Sequence, residues 1–237
     1  MELPEITARL AEHRRPAYVP VVEDGDGPPG ASGFSGTPSL LPGEPWPACG
    51  NCGRPMQLFV QLAGRDLPPA ARDRIGPGEL LQLFYCTSED PPCESDCEAF
   101  FPDAESTLLR IVPAGAAGDA PAVPGGMFPP KRIVGWREEE DYPNFEELEE
   151  RGVELDDEEL DVLSESFPLG GEKLLGWPAW VQSIEYPDCR VCGKRMEMLF
   201  QIDSERNLPY MFGDVGTGHV TQCPEHRGEL AFGWACS

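Results

Sequence analysis

The chain has no apolar run approaching the roughly 20 residues that a bilayer-spanning helix needs, so no transmembrane segment is expected. Basic residues are scarce. Lys and Arg number 18 against 42 Asp and Glu, giving a formal net charge of −24. A surface of that sign repels the phosphates of DNA and RNA, which argues against a zinc-ribbon reader of nucleic acid. Histidine is rarer still, with only His13, His219 and His226. No HExxH, P-loop or GxSxG element occurs, so no catalytic motif stands out. The opening residues, Met1 to Leu10, carry acidic side chains and lack the apolar stretch of a secretory signal. The expectation is a cytosolic protein whose thiols stay reduced.

What is present is turn-forming and sulfur-rich. Pro (27) and Gly (26) together exceed a fifth of the 237 residues, which favours short strands joined by turns over long helices. Apolar residues make up 40%, enough for a packed core. Nine cysteines in a reducing setting point to metal rather than disulfides. The acidity has two readings: it keeps the protein soluble, or it attracts cations and basic proteins.

Leu3 to Arg14 reads as a short helix stopped by Pro16, and Tyr18 to Val22 as a strand. Further strands are predicted at Met56–Leu62, Leu80–Tyr85, Leu108–Val112, Arg132–Trp136, Met196–Ile202 and Glu229–Trp234. Pro113 to Pro130, rich in Ala, Gly and Pro, reads as a flexible connector. The expected organisation is an N-terminal half over 1–112, the connector over 113–130 and a C-terminal half over 131–237. Between Glu138 and Glu165 lie fifteen Asp or Glu against one basic residue, Arg151. Phe145–Glu150 and Asp156–Leu163 within it have helical composition. The stretch reads as a solvated surface insertion or as a docking face for a basic partner.

Two segments match at a constant offset of 140: Pro47-Ala48-Cys49-Gly50-Asn51-Cys52-Gly53-Arg54-Pro55-Met56 and Pro187-Asp188-Cys189-Arg190-Val191-Cys192-Gly193-Lys194-Arg195-Met196. Gln61-Leu62 and Gln201-Ile202 continue the match. A gap-free coincidence of this length argues for internal duplication. Two thiolates three positions apart grip one tetrahedral ion, and the following glycine supplies the positive φ of the turn. Met56, Leu58 and Val60, like Met196, Met198 and Phe200, are expected on a core-facing side, with Gln61 and Gln201 on the other.

Each repeat needs two more ligands. In the second, Cys189 and Cys192 find Cys223 and His226, a CxxH pair at knuckle spacing about thirty residues on. His219 is expected at the surface and Cys236 is read as a bystander. In the first, Cys49 and Cys52 are joined by Cys86, Cys93 and Cys97, five thiols for four positions. The preferred set is Cys49, Cys52, Cys86 and Cys93, with Cys97 the alternative to Cys93. Both sets are closed and sulfur-rich, as in structural Zn2+ sites, so two structural zinc ions are expected and no catalytic residue is named.

Gly36-Thr37-Pro38-Ser39-Leu40-Leu41-Pro42, Glu44-Pro45-Trp46-Pro47-Ala48-Cys49, Leu83-Phe84-Tyr85-Cys86, Trp136 with Asp141-Tyr142-Pro143, and Leu174-Leu175-Gly176-Trp177-Pro178-Ala179-Trp180-Val181-Gln182 are similar to the bacterial YwqG-like proteins of unknown function. With the two CxxCG knuckles, the chain more distantly resembles the eukaryotic programmed cell death protein 2 family. The resemblance implies a β-rich α+β fold of two similar halves. It also implies two candidate roles: a dedicated chaperone for a basic small-subunit ribosomal protein, as in the eukaryotic relatives, or membership of a toxin–immunity pair, as in some bacterial ones. Many YwqG-like proteins lack the knuckle cysteines, so zinc rests on the spacing in this chain. The leading expectation is a zinc-stabilised, acidic protein-binding module for a basic partner. The competing one is a metal-dependent hydrolase with its site between the halves.

Overall fold

The computed structural model describes residues 2–115 and 123–237. Helix α1 (Leu3–Arg9) leads into β1 (Arg15–Asp24), β2 (Gly33–Phe34) and β3 (Gln57–Ala63). Next come α2 (Pro69–Ile75), β4 (Glu79–Tyr85), the short α3 (Cys93–Asp96) and β5 (Thr107–Pro113). The second part holds β6 (Lys131–Asp141), α4 (Phe145–Glu150), α5 (Asp157–Ser164) and β7 (Lys173–Leu175), then β8 (Glu197–Asp203), β9 (Thr217–Gln222) and β10 (Leu230–Ala235). The protein is β-rich, as its turn-forming composition predicts.

The ten strands of the described residues join one sheet in the order β10-β9-β8-β7-β1-β6-β2-β3-β4-β5, and every neighbouring pair is antiparallel. The sheet is nearly closed: the Trp234 N–H of β10 donates to the Phe100 carbonyl just ahead of β5, 3.1 Å away. Strand β1 sits among the strands of the C-terminal part, between β7 and β6, whereas β6 lies beside β2 of the N-terminal part. Proximity in the chain therefore does not decide which strands are neighbours at the centre. One aromatic core draws on both ends of the sheet, with Phe59 5.0 Å from Tyr85, 5.9 Å from Phe212, and Tyr85 5.9 Å from Phe232.

The predicted core face of β3 is divided. A bulge between Leu58 and Val60 breaks the two-residue alternation. Met56 and Leu58 therefore pack around the cysteines, while Val60 joins Phe59 and Leu62 in the aromatic core. The bulge recurs in β8 between Met198 and Phe200. Gln61 and Gln201 are buried too, each closing a polar knot. Gln61 Oε1 accepts from Ser39 N and Gln82 Nε2 (2.9 and 2.8 Å), and its Nε2 donates to Ala31 O (2.8 Å). Gln201 Oε1 accepts from Ala179 N (2.8 Å) and lies 3.3 Å from His219 Nε2, while its Nε2 donates to Gly171 O (2.8 Å).

The acidic stretch is more than a solvated insertion. Its first four residues extend β6, because β1 offers a continuous partner: Glu138 faces Tyr18 and Glu140 faces Pro16. Asn144 caps α4 by accepting from Glu147 N (3.0 Å), and Asp156 and Glu159 form a reciprocal capping box on α5. Ile6 and Leu10 then pack with Tyr142, Leu148 and Leu163, so α1, α4 and α5 share a small core. Asp141, Glu147 and Glu159 are buried with partners; Asp141 accepts from Lys173 Nζ, Trp177 N, Leu169 N and Tyr142 N. The connector is partly anchored: Phe128 packs on the aromatic core and its N–H donates to Gln57 Oε1 (3.0 Å). Positions 116–122 of it lie outside the described residues. Among the described residues, no helix is long and apolar enough to cross a membrane.

Candidate metal centres

Each knuckle is built by its own backbone. In the first, Cys49 N–H donates to Arg54 O (2.8 Å), Gly53 N–H to Cys49 O (2.8 Å), and Met56 N–H to Pro47 O (3.0 Å). In the second, Cys189 donates to Lys194 O (2.8 Å), Gly193 to Cys189 O (2.8 Å) and Met196 to Pro187 O (2.9 Å). The turn closes through a glycine at φ +71° in Gly53 and +68° in Gly193, where a side chain would be strained. Strands then deliver the third ligand: Cys86 follows β4 and Cys223 follows β9, each adjacent to the strand the knuckle feeds.

Two groups of donors result. Cys49, Cys52, Cys86 and Cys93 form one; Cys189, Cys192, Cys223 and His226 form the other. Within each, the ligand atoms all lie within 4.8 Å of one another. Cys49 Sγ is 3.4 Å from Cys93 Sγ, and Cys52 Sγ 3.5 Å from Cys86 Sγ. In the second group Cys192 and Cys223 are 3.7 Å apart, and His226 Nδ1 is 3.7 Å from Cys189 Sγ and 3.6 Å from Cys223 Sγ. A tetrahedral ion with bonds of about 2.3 Å to sulfur has ligand–ligand edges of about 3.8 Å, so the spacing fits without bringing sulfurs to bonding distance. Cys97 stands outside the first group, its Sγ donating to Cys93 O at 2.9 Å. The α3 turn directs Cys93 inward and leaves Cys97, one turn on, against that turn's backbone.

The chemistry of the donors also calls for a cation. Burial pushes the Cys86 thiol up to about 12 and raises that of Cys93 as well. Cys223 goes the other way, to about 6: burial opposes its ionisation, but the N–H groups of Glu225 and His226 and the His226 ring outweigh it. Both N–H groups point at its Sγ from 3.4 Å. Asn51 Nδ2 likewise donates to Cys93 Sγ (3.2 Å). Four sulfurs crowded together cannot all ionise unaided; a divalent ion removes that penalty.

His219, expected at the surface, is buried against Trp180, with ring centroids 4.5 Å apart. Its Nε2 faces Gln201, the place that Gln82 takes beside Gln61, and it belongs to no donor group. The matched glutamines were visible in the repeat, but the residue facing each of them was not. Cys236 is half-buried and packs on the aromatic core. His13 accepts at its carbonyl from Trp177 Nε1 (2.8 Å), and its N–H donates to Leu10 O (2.8 Å).

Fold and sites together define a β-rich protein with two cysteine-based groups positioned to hold metal ions. Residues 32–222 match the family model described as domain of unknown function (DUF1963), and the chain belongs to that family. A search of the curated proteins finds no match.

Proposed function

We propose that this protein is an acidic protein-binding module, stapled by two structural zinc ions, that recognises a basic protein partner. The observation that carries the reading is a formal charge of −24 combined with the exposed carboxylates of the α4–α5 region. Glu149, Glu154, Asp161 and Glu165 all face solvent there, on or beside helices that share a small core with α1. Such a face raises the encounter rate and selectivity for a basic partner. Each donor group already supplies four ligands, whereas catalytic zinc keeps a position for water. This supports a structural role over the hydrolase reading.

We further infer that the two halves descend from one duplicated unit. The knuckle hydrogen bonds, the strand bulges and the glutamine knots all repeat between them, which supports common origin. The DUF1963 match is in keeping with the YwqG-like resemblance, and a chaperone-like or an immunity-like role toward the basic partner are the two forms this reading takes. The test is binding of basic proteins to immobilised protein at low salt and at about twice physiological ionic strength. Bound proteins of high isoelectric point, released by salt and lost with the combined Glu149→Gln, Glu154→Gln, Asp161→Asn and Glu165→Gln variant, are the expected result. Binding that ignores both salt and these substitutions overturns the reading.

A further inference from the structure

A pocket of about 680 Å³ opens at the seam where the two ends of the sheet meet. Phe100 and Phe101 wall it from the segment before β5; Trp180 and Trp234 wall it from the C-terminal part. The rings are held in place: Phe100 is edge-on to Trp234 at 5.8 Å and 4.6 Å from Phe101, and Trp180 rests on His219. Among the described residues, Glu185 is the single carboxylate lining it, and no Lys or Arg does.

We propose that this pocket binds an arginine- or lysine-bearing peptide segment, the cation seated among the aromatic rings with Glu185 as its counter-ion. The proposal rests on the protein-binding reading above and names the site within it. Three observations carry it. Aromatic faces attract cations, most strongly where water is excluded. Glu185 has neither an ion pair nor a hydrogen bond among the described residues, and although it is exposed, partial desolvation by its neighbours raises its carboxyl pKa, so it gains from an incoming positive charge. Trp180 Nε1–H is a buried donor without a hydrogen-bond partner among the described residues, in the ring that walls the pocket. His219 beside it stays neutral, pushed down to about 3 by burial and by the nearby Lys173 charge, so it does not repel a cation. The site also joins the acidic face: Ile184 N donates to Glu146 Oε2 (3.1 Å) and Tyr186 Oη to Glu147 Oε1 (2.6 Å), on either side of Glu185.

The experiment is titration of the full chain with a short blocked peptide of alternating arginine and glycine, and with its neutral citrulline counterpart. The indole N–H resonances are followed by NMR, that of Trp180 being assigned by its loss in Trp180→Phe. The arginine peptide is expected to shift the Trp180 signal saturably and to bind about tenfold more tightly than the citrulline peptide. Glu185→Gln, at an exposed position, should weaken binding about three- to tenfold and leave the fold intact. A Trp180 signal that does not move, or moves equally with citrulline, overturns the pocket. So does peptide binding abolished by the α4–α5 substitutions but indifferent to Glu185→Gln, a result that leaves the wider protein-binding reading standing. Failure of basic proteins to bind, with the peptide still entering the pocket, overturns the wider reading alone.

Discussion

His219 lies inside the protein with its Nε2 3.3 Å from Gln201 Oε1, and its ring is kept neutral by burial and then by the Lys173 charge. Its folded value of about 3 lies below the ordinary 6.5, so the unfolded chain takes up a proton there that the folded chain refuses. The folded state therefore suffers no penalty from this residue above about pH 6.5 and loses on the order of 1 kcal/mol per pH unit below it. His219→Gln reproduces beside Gln201 the pairing that Gln82 makes with Gln61, and removes the titration. Urea unfolding between about pH 7 and 5 should show a shallower loss of stability in the variant than in the parent. Parallel curves would mean that His219 takes up its proton in the folded protein as readily as in the unfolded chain. Nothing in the local sequence Thr217-Gly218-His219-Val220 marks the residue as buried; alternating strand residues reach either face, and both faces of β9 are covered.

At the scale of elements, the knuckle is the unit to perturb. Cys52 and Cys97 are both half-buried thiols near the first centre, yet only Cys52 belongs to the donor group. Cys52→Ser is expected to lower bound zinc from about two ions per chain to about one and to destabilise the first knuckle by several kcal/mol. Cys97→Ser should keep both ions and change stability by about 1 kcal/mol or less. Metal analysis of the purified variants with thermal unfolding reads both outcomes, and equal zinc loss in the two would place Cys97 among the ligands. The knuckles and the strands after them were legible because their signals are local: CxxCG spacing and apolar runs. Strands β2, β7 and β9 were not, being short or mixed in polarity and existing only because longer neighbours supply hydrogen bonds. Helix α2 was missed for a related reason, since seven residues with proline at the start carry little periodicity.

Across the whole molecule, the charge of −24 opposes compaction, and the described ion pairs at the surface offset little of it. Salt shortens the reach of that repulsion, from about 20 Å at ~20 mM to about 4 Å at ~500 mM. The thermal midpoint of the zinc-loaded protein should therefore rise by several degrees over that range in calorimetry. A midpoint that is unmoved or falls would mean that the paired charges outweigh the repelling ones. The sequence by itself determined the acidity, the strand-and-turn character and the repeated thiol pairs, because each is written in neighbouring residues. Only the tertiary structure decided that β1 and β6 pair at the centre of one sheet, that Cys93 rather than Cys97 joins its group, and that Trp180, Glu185 and Trp234 meet Phe100 across a seam. Those outcomes depend on contacts between residues tens to more than a hundred positions apart, which local pattern does not encode.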